Sequence, residues 1–99
     1  MRLWVDDVRP APEGWTWAKS VQEALGIISR VRFELIDIEV ISLDHDAGDF
    51  VQYGGDYIRI LDWLEYKGYN YPIHLHTMNP VGKENMRRII TRNGWTEVF

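Results

Sequence analysis

Val40-Ile41-Ser42-Leu43-Asp44-His45-Asp46-Ala47-Gly48 is the stretch on which the reading of this chain turns. Its first four residues are uncharged and rich in β-branched side chains, the composition of a strand covered on both faces. It then runs into two carboxylates flanking an imidazole, with a glycine just beyond. Titratable groups gathered where a buried strand emerges stand where α/β proteins put ligands and chemistry.

Upstream, Arg2-Leu3-Trp4-Val5 reads as a strand ending at Asp6-Asp7. The following Val8 to Gly14 holds two prolines and a glycine, so it continues neither a helix nor a central strand. Trp15-Thr16-Trp17 alternates and predicts a short edge strand with two indoles on one face. Ser20-Val21-Gln22-Glu23 has the form of a capping box. Val21, Ala24, Leu25 and Ile28 follow at helical spacing, which predicts an amphipathic helix from Val21 to Arg30. Residues 31–39 fit either a strand or an extended approach to the next strand.

Downstream, a polar loop runs to Gly55, and Asp56 is expected to cap a helix over Tyr57 to Lys67 that buries Ile58, Leu61 and Leu64 and stops at Gly68. Ile73-His74-Leu75-His76-Thr77 is the next buried strand. Asn79-Pro80 is an N-cap followed by proline at the first helical position. That helix turns Met86, Ile89 and Ile90 inward, keeps Lys83, Arg87 and Arg88 near its outer face, and ends at Asn93-Gly94. Trp95 to Phe99 would be a terminal strand.

Strands alternating with helices imply an α/β fold with a parallel sheet and right-handed crossovers. Such a sheet aligns the carboxyl ends of its strands on one edge. Asp6-Asp7, Asp44-His45-Asp46, His76-Thr77 and Asn79 therefore converge, and the crevice between the first and third strands is the expected site.

The 99 residues are read as one domain, 45% apolar and 26% charged. A net charge of −4 disfavours a broad nucleic-acid surface but not a local basic spot. The absence of cysteine excludes disulfides, a thiol nucleophile and cysteine-ligated zinc. The chain enters a strand pattern at once rather than a signal peptide, and no apolar run approaches the ~18 residues of a membrane span. A cytoplasmic protein without membrane contact is the expectation.

Asp6, Asp7 and Asp44 would bring several negative charges together, which is costly unless a cation neutralises them or one carboxyl keeps its proton. Oxygen donors of this kind suit magnesium, manganese or calcium better than zinc. A strand simply terminated by Asp-Asp is the plainer alternative, and the convergence of strand ends favours metal or catalytic use over it. His45 and His76 are candidate acid/base groups, because an imidazole titrates near neutral pH. His74 lies deeper and reads as a hydrogen-bonded core histidine. The N–H groups opening the helix at Asn79 could bind phosphate, with Lys83 nearby, or could simply be capped by Asn79. Arg9 could clamp a phosphate or bridge surface carboxylates. The five tryptophans read as packing rather than a base-stacking platform.

Three motifs, Leu3-Trp4-Val5-Asp6-Asp7-Val8-Arg9-Pro10, Ile41 to Gly48 and His76-Thr77-Met78-Asn79-Pro80-Val81-Gly82, resemble those of the stand-alone cyclic-phosphate processing receiver domains. The resemblance spans nearly the whole chain. It implies a three-layer receiver/flavodoxin-like sandwich with sheet order 2-1-3-4-5, its first helix lost or reduced to the proline-rich loop, and a proposed role on cyclic phosphate esters. By position, Asp6 and Asp7 match the metal-binding acidic pair of receivers, Asp44 their phosphoacceptor and Thr77 their hydroxyl residue after the fourth strand. His45, Asp46, His76 and Asn79 match the additions of this family. Thr77 stands where the family more often has serine. No lysine follows the last strand, which argues against a conventional phosphorylation switch.

The expected function is thus a phosphoesterase that uses Mg or Mn, held by Asp6, Asp7 and Asp44, to process a small cyclic-phosphate ligand or a cyclic-phosphate end of a nucleic acid. In it Asp44, His45, Asp46 and His76 are catalytic, and Arg9, Thr77, Asn79 and Lys83 bind phosphate. The alternatives are a non-catalytic phospho-signalling or binding module and a degenerate domain that works through protein contacts alone.

Overall fold

The computed structural model describes residues 1–99. Five parallel strands, β1 (Arg2–Val5), β2 (Thr16–Ala18), β3 (Val40–Leu43), β4 (Ile73–Leu75) and β5 (Glu97–Val98), lie in the order β2-β1-β3-β4-β5. Helices α1 (Val21–Phe33), α2 (Ile58–Lys67) and α3 (Pro80–Arg92) connect β2 to β3, β3 to β4 and β4 to β5. These three crossovers step across the sheet in one direction, so right-handed connections place all three helices on one face. Contacts between α1 and α2 and between α2 and α3 agree with that placement.

Burial alternates accordingly along β1 and β4, while β3 is covered on both faces, Ser42 included. Leu3, Val5, Ile41, Leu43, Ile73 and Leu75 are buried under the helices, against Ala24 and Ile28 of α1, Ile60, Leu61 and Leu64 of α2, and Met86, Ile89 and Ile90 of α3. Trp4, Ser42 and His74 point the other way. Between β1 and β2 runs a loop where a receiver would have its first helix, as the prolines predict. It covers part of that second face: Trp4 donates its indole N–H to the Arg9 carbonyl at 2.9 Å and meets Trp15 edge to face at 5.9 Å.

The ends of the elements hold the departures from expectation. Ser20 caps α1 by accepting from the Glu23 N–H at 3.0 Å, but Glu23 reaches back to the N–H of Lys19, at 3.3 Å, rather than to that of Ser20. The helix passes Arg30 and ends at Phe33, because Val31 continues the buried stripe. Residues 31–39 therefore contain no strand. Leu35 adopts a left-handed conformation (φ 59°), and Phe33 and Leu35, whose apolar character obscured the boundary, are solvent-exposed. The second strand is shifted by one residue, to Thr16–Ala18. Asp56 does not cap α2. Tyr57 takes that position without a side-chain bond, and the Asp56 carboxylate accepts from the Ala47 N–H at 2.9 Å, tying down the loop after β3. Asn79 caps α3 as expected, accepting from the Gly82 N–H at 3.0 Å with Pro80 at the first helical position. No helix is long and apolar enough to cross a membrane.

Candidate functional site

The parallel sheet delivers the predicted residues to its carboxyl edge in two tiers. The inner tier is built on Asp6, which is fully buried. Its Oδ1 accepts from the N–H groups of Val8 and Arg9 at 2.9 and 2.8 Å, and its Oδ2 from Arg9 Nε at 3.1 Å and His76 Nε2 at 2.9 Å. Burial works to raise its pKa, but the Arg9 and Val8 N–H groups, joined by His76, outweigh it and hold the carboxyl below the usual range. Asp6 is thus an acceptor-only carboxylate, which requires His76 to carry its proton on Nε2. Nδ1 must then accept from the Ser42 hydroxyl, 2.7 Å away. The His76 ring stacks on Trp4 at 3.8 Å, nearly parallel at 3°, and its side chain is 7% exposed. Burial is the largest influence on this histidine and keeps its pKa below the ordinary value against the pull of Asp6.

The outer tier is His45, Asp46 and Asn79. His45 Nδ1 pairs with Asp46 Oδ1 at 2.9 Å, and that bond chiefly holds the Asp46 carboxyl below its usual range. In the neutral ring Nδ1 therefore carries the proton, and Nε2, which has no protein partner, is the nitrogen with the lone pair. Asn79 Nδ2 approaches both Asp46 oxygens at 3.3 and 3.5 Å while its Oδ1 caps α3. The ring rests on the backbone of Gly82, where any Cβ would overlap it. Gly82 is therefore required for His45 to lie where it does.

Between the tiers stand Asp7 and Asp44. Ligand oxygens of Asp6, Asp7 and Asp44 lie within 4.8 Å of one another. Asp44 Oδ1 accepts from the His45 N–H at 2.8 Å, and its Oδ2 stands 3.7 Å from Arg9 Nη2. Asp7 has no cationic partner. Burial, followed by the charges of Asp6 and Asp44, pushes its carboxyl above the usual range. Asp7 also lies against Gly48 (φ 53°), where a Cβ would meet its Oδ2. Oxygen donors and uncompensated negative charge fit a hard divalent cation, and the missing Cβ of Gly48 is what lets the Asp7 carboxylate take its place in the cluster. Asp7 and Asp44 are the carboxylates free to ligate it, since Asp6 is already saturated. A second group, His45, Asp46 and Asp56, also lies within 4.8 Å, but its members are bonded to each other or to Ala47.

The predicted phosphate ligands are placed unevenly. Arg9 lies among the carboxylates. Thr77 is buried, and its hydroxyl oxygen accepts from the Asn79 N–H at 3.1 Å. At the start of α3, Pro80 has no N–H, while those of Gly82 and Lys83 are taken by the side chain and carbonyl of Asn79. That leaves Val81 to offer one. Lys83 has no bond to the cluster, and its charge acts on Glu97. His74 is hydrogen-bonded as expected, to the Val98 carbonyl at 2.8 Å, but it is half-buried rather than in the core, because it points away from the helices. The surface grooves lie elsewhere: one of about 250 Å³ is lined by Arg32, Leu35, Ile36, Asp37 and Tyr71, the other by Met1, Thr16, Ile27, Arg30, Val31 and Glu34.

Several contributors were not singled out from the sequence. Ser42 and Trp4 hold His76. Trp17 donates its indole N–H to the Asp6 carbonyl at 2.8 Å. Tyr57, fully buried, donates its hydroxyl to the Lys19 carbonyl at 2.7 Å and its N–H to the His45 carbonyl at 2.9 Å. Burial and the charges of Asp7, Asp6 and Asp44 raise its pKa and keep the phenol protonated. Ser42 sat in an apolar run, where pattern alone marks it as core, and Tyr57 stood at the start of the expected helix, where no local signal marks its role.

Residues 1–92 match a family model described as the cyclic-phosphate processing receiver domain, and the chain belongs to that family. No curated protein and no solved structure matches it.

Proposed function

We propose, from membership of the cyclic-phosphate processing receivers and from the two-tier site, that this protein hydrolyses a cyclic phosphodiester with the help of a divalent ion, magnesium or manganese. Water adds to phosphorus and one ring P–O bond breaks, leaving a phosphomonoester and a free hydroxyl. Asp7 and Asp44 would hold the ion, which when bound supplies Lewis-acid polarisation of the phosphoryl group. His45 takes the proton of the attacking water on Nε2, Asp46, bonded to Nδ1, orients the ring and stabilises the imidazolium, and the leaving ring oxygen takes its proton from solvent, to which His45 later returns its own. The Thr77 hydroxyl, whose oxygen already accepts from Asn79, has its own proton to offer a phosphoryl oxygen. The Val81 N–H adds a second donor. His76 acts through Asp6 as a positioning residue, because both of its nitrogens are engaged.

The observation that carries this reading is His45, with one nitrogen bonded to a carboxylate and the other free, one residue from the acidic cluster. Incubation with Mg²⁺ or Mn²⁺ and a panel of 3′,5′- and 2′,3′-cyclic nucleotides and 2′,3′-cyclic-ended RNA tests it. The expected result is metal-dependent release of a monoester from at least one member, lost in His45→Ala. No turnover of any member sinks the proposal. Stable phosphorylation of Asp44 by acetyl phosphate, indifferent to loss of His45, would favour a signalling module instead.

A further inference from the structure

Arg9 holds the one cationic group set among the carboxylates. Its Nε bonds Asp6 Oδ2 at 3.1 Å, its Nη2 donates to the His76 carbonyl at 3.1 Å, and the same Nη2 stands 3.7 Å from Asp44 Oδ2. The backbone beneath is pinned, with the Arg9 N–H on Asp6 Oδ1 at 2.8 Å and its carbonyl accepting from Trp4 at 2.9 Å. The side chain is nevertheless 44% exposed, and its Nη1 has no protein partner. Three carboxylates against one guanidinium leave two negative charges, the charge of one divalent ion. Asp6 is saturated and Asp7 has no cationic partner, so Asp44 Oδ2 is the oxygen for which Arg9 and an added cation compete. Its distance from Arg9 is that of an ion pair and longer than a hydrogen bond.

We propose that Arg9 is a phosphate ligand gated by the metal: a divalent ion on Asp7 and Asp44 displaces from Asp44 the Nη2 donor that faces it, and that donor joins the unpartnered Nη1 in taking phosphoryl oxygens. This rests on the reading that Asp7 and Asp44 hold a divalent ion. Arginine does not shed its proton, so the guanidinium cannot meet an arriving cation by becoming neutral. Two cations crowding one oxygen repel, and the one on a flexible stem moves. Because Nε stays anchored on Asp6, the movement is a small rotation of the outer edge. That edge is a planar fork of donors suited to phosphate. Metal and phosphate then bind with positive coupling, and linkage requires each to tighten the other by the same factor.

The test is the Mn²⁺ affinity of wild type, Arg9→Gln and Arg9→Lys, read from the EPR signal of free Mn²⁺ with and without inorganic phosphate. In wild type, phosphate tightens Mn²⁺ about fivefold or more. Arg9→Gln binds Mn²⁺ more tightly than wild type without phosphate, and phosphate no longer changes its affinity. Arg9→Lys keeps a competing charge near Asp6, so it folds with that carboxylate paired, binds Mn²⁺ as weakly as wild type and loses most of the coupling. Equal coupling in wild type and either variant overturns the proposal and leaves the metal site standing. Failure of wild type to bind Mn²⁺ sinks both.

Discussion

The two tiers of the site each contain a histidine beside an aspartate at 2.9 Å, yet they are built for different work. His76 is stacked on Trp4, bonded at both nitrogens and shut from solvent, and its partner Asp6 has no free lone pair. His45 is bonded at one nitrogen, its side chain is 15% exposed against 7% for His76, and its partner Asp46 is largely exposed. The same residue types in the same pairing thus give a rigid mount in one case and an available base in the other. What separates them is the number of nitrogens already committed and the access of water.

That contrast can be broken by mutation. The largest effect expected is on turnover in His45→Ala, a fall of roughly 10²- to 10⁴-fold with the urea midpoint little changed. His76→Ala should act mainly on folding. It strands part of buried Asp6, leaves Ser42 without its partner and empties the face of Trp4, for a loss of about 2–4 kcal/mol in urea unfolding. If His76→Ala leaves stability intact and stops turnover, the assignment of the two histidines is reversed. Ser42→Ala, which removes one bond from the same network, should cost about 1–2 kcal/mol and release the His76 tautomer, seen in the ¹⁵N shifts of its ring. Gly48→Ala puts a methyl group against Asp7 in a left-handed backbone, and should weaken Mn²⁺ binding at a stability cost of about 1 kcal/mol.

Titration sharpens the same contrast. Asp6 and His76 both have depressed pKa values in the folded protein, so both contribute stability that is complete above their unfolded values and fades as pH falls through the folded ones. For His76 the decline begins below about pH 6.5, where the unfolded chain takes up its proton first. Asp7 has the opposite sign. Its raised value gives stability that is complete below the unfolded carboxylate range and lost as pH rises through the folded value. Asp7→Asn should therefore raise the urea midpoint at neutral pH and gain nothing at about pH 3. A gain of equal size at both would remove the case for charge crowding at Asp7.

Much of this architecture was legible from the chain. Asp6-Asp7, Asp44-His45-Asp46 and His76 could be brought together by strand topology alone, because a parallel sheet has one carboxyl edge. The prolines after Arg9 announced the missing helix, and Asn79-Pro80 marked the start of α3. Periodicity could not reveal that Phe33 and Leu35 face solvent, so the end of α1 stayed open. Nor could it separate the roles of the histidines. That depended on Ser42 and Trp4, whose bond and stacking to His76 span β1, β3 and the end of β4. Asp56, a plausible cap by position, was claimed by the Ala47 N–H across a loop, a tertiary contact with no local signature.

The most direct test of the functional reading is ³¹P NMR of cyclic nucleotides incubated with metal-free protein, then with Mg²⁺ or with Mn²⁺ chelated before the spectrum is taken, for wild type and His45→Ala. The cyclic resonance is expected to give way to a phosphomonoester only in wild type and only with a divalent ion present. Across the cyclic-nucleotide panel, an unchanged cyclic resonance with wild type, or equal conversion by His45→Ala, would contradict it.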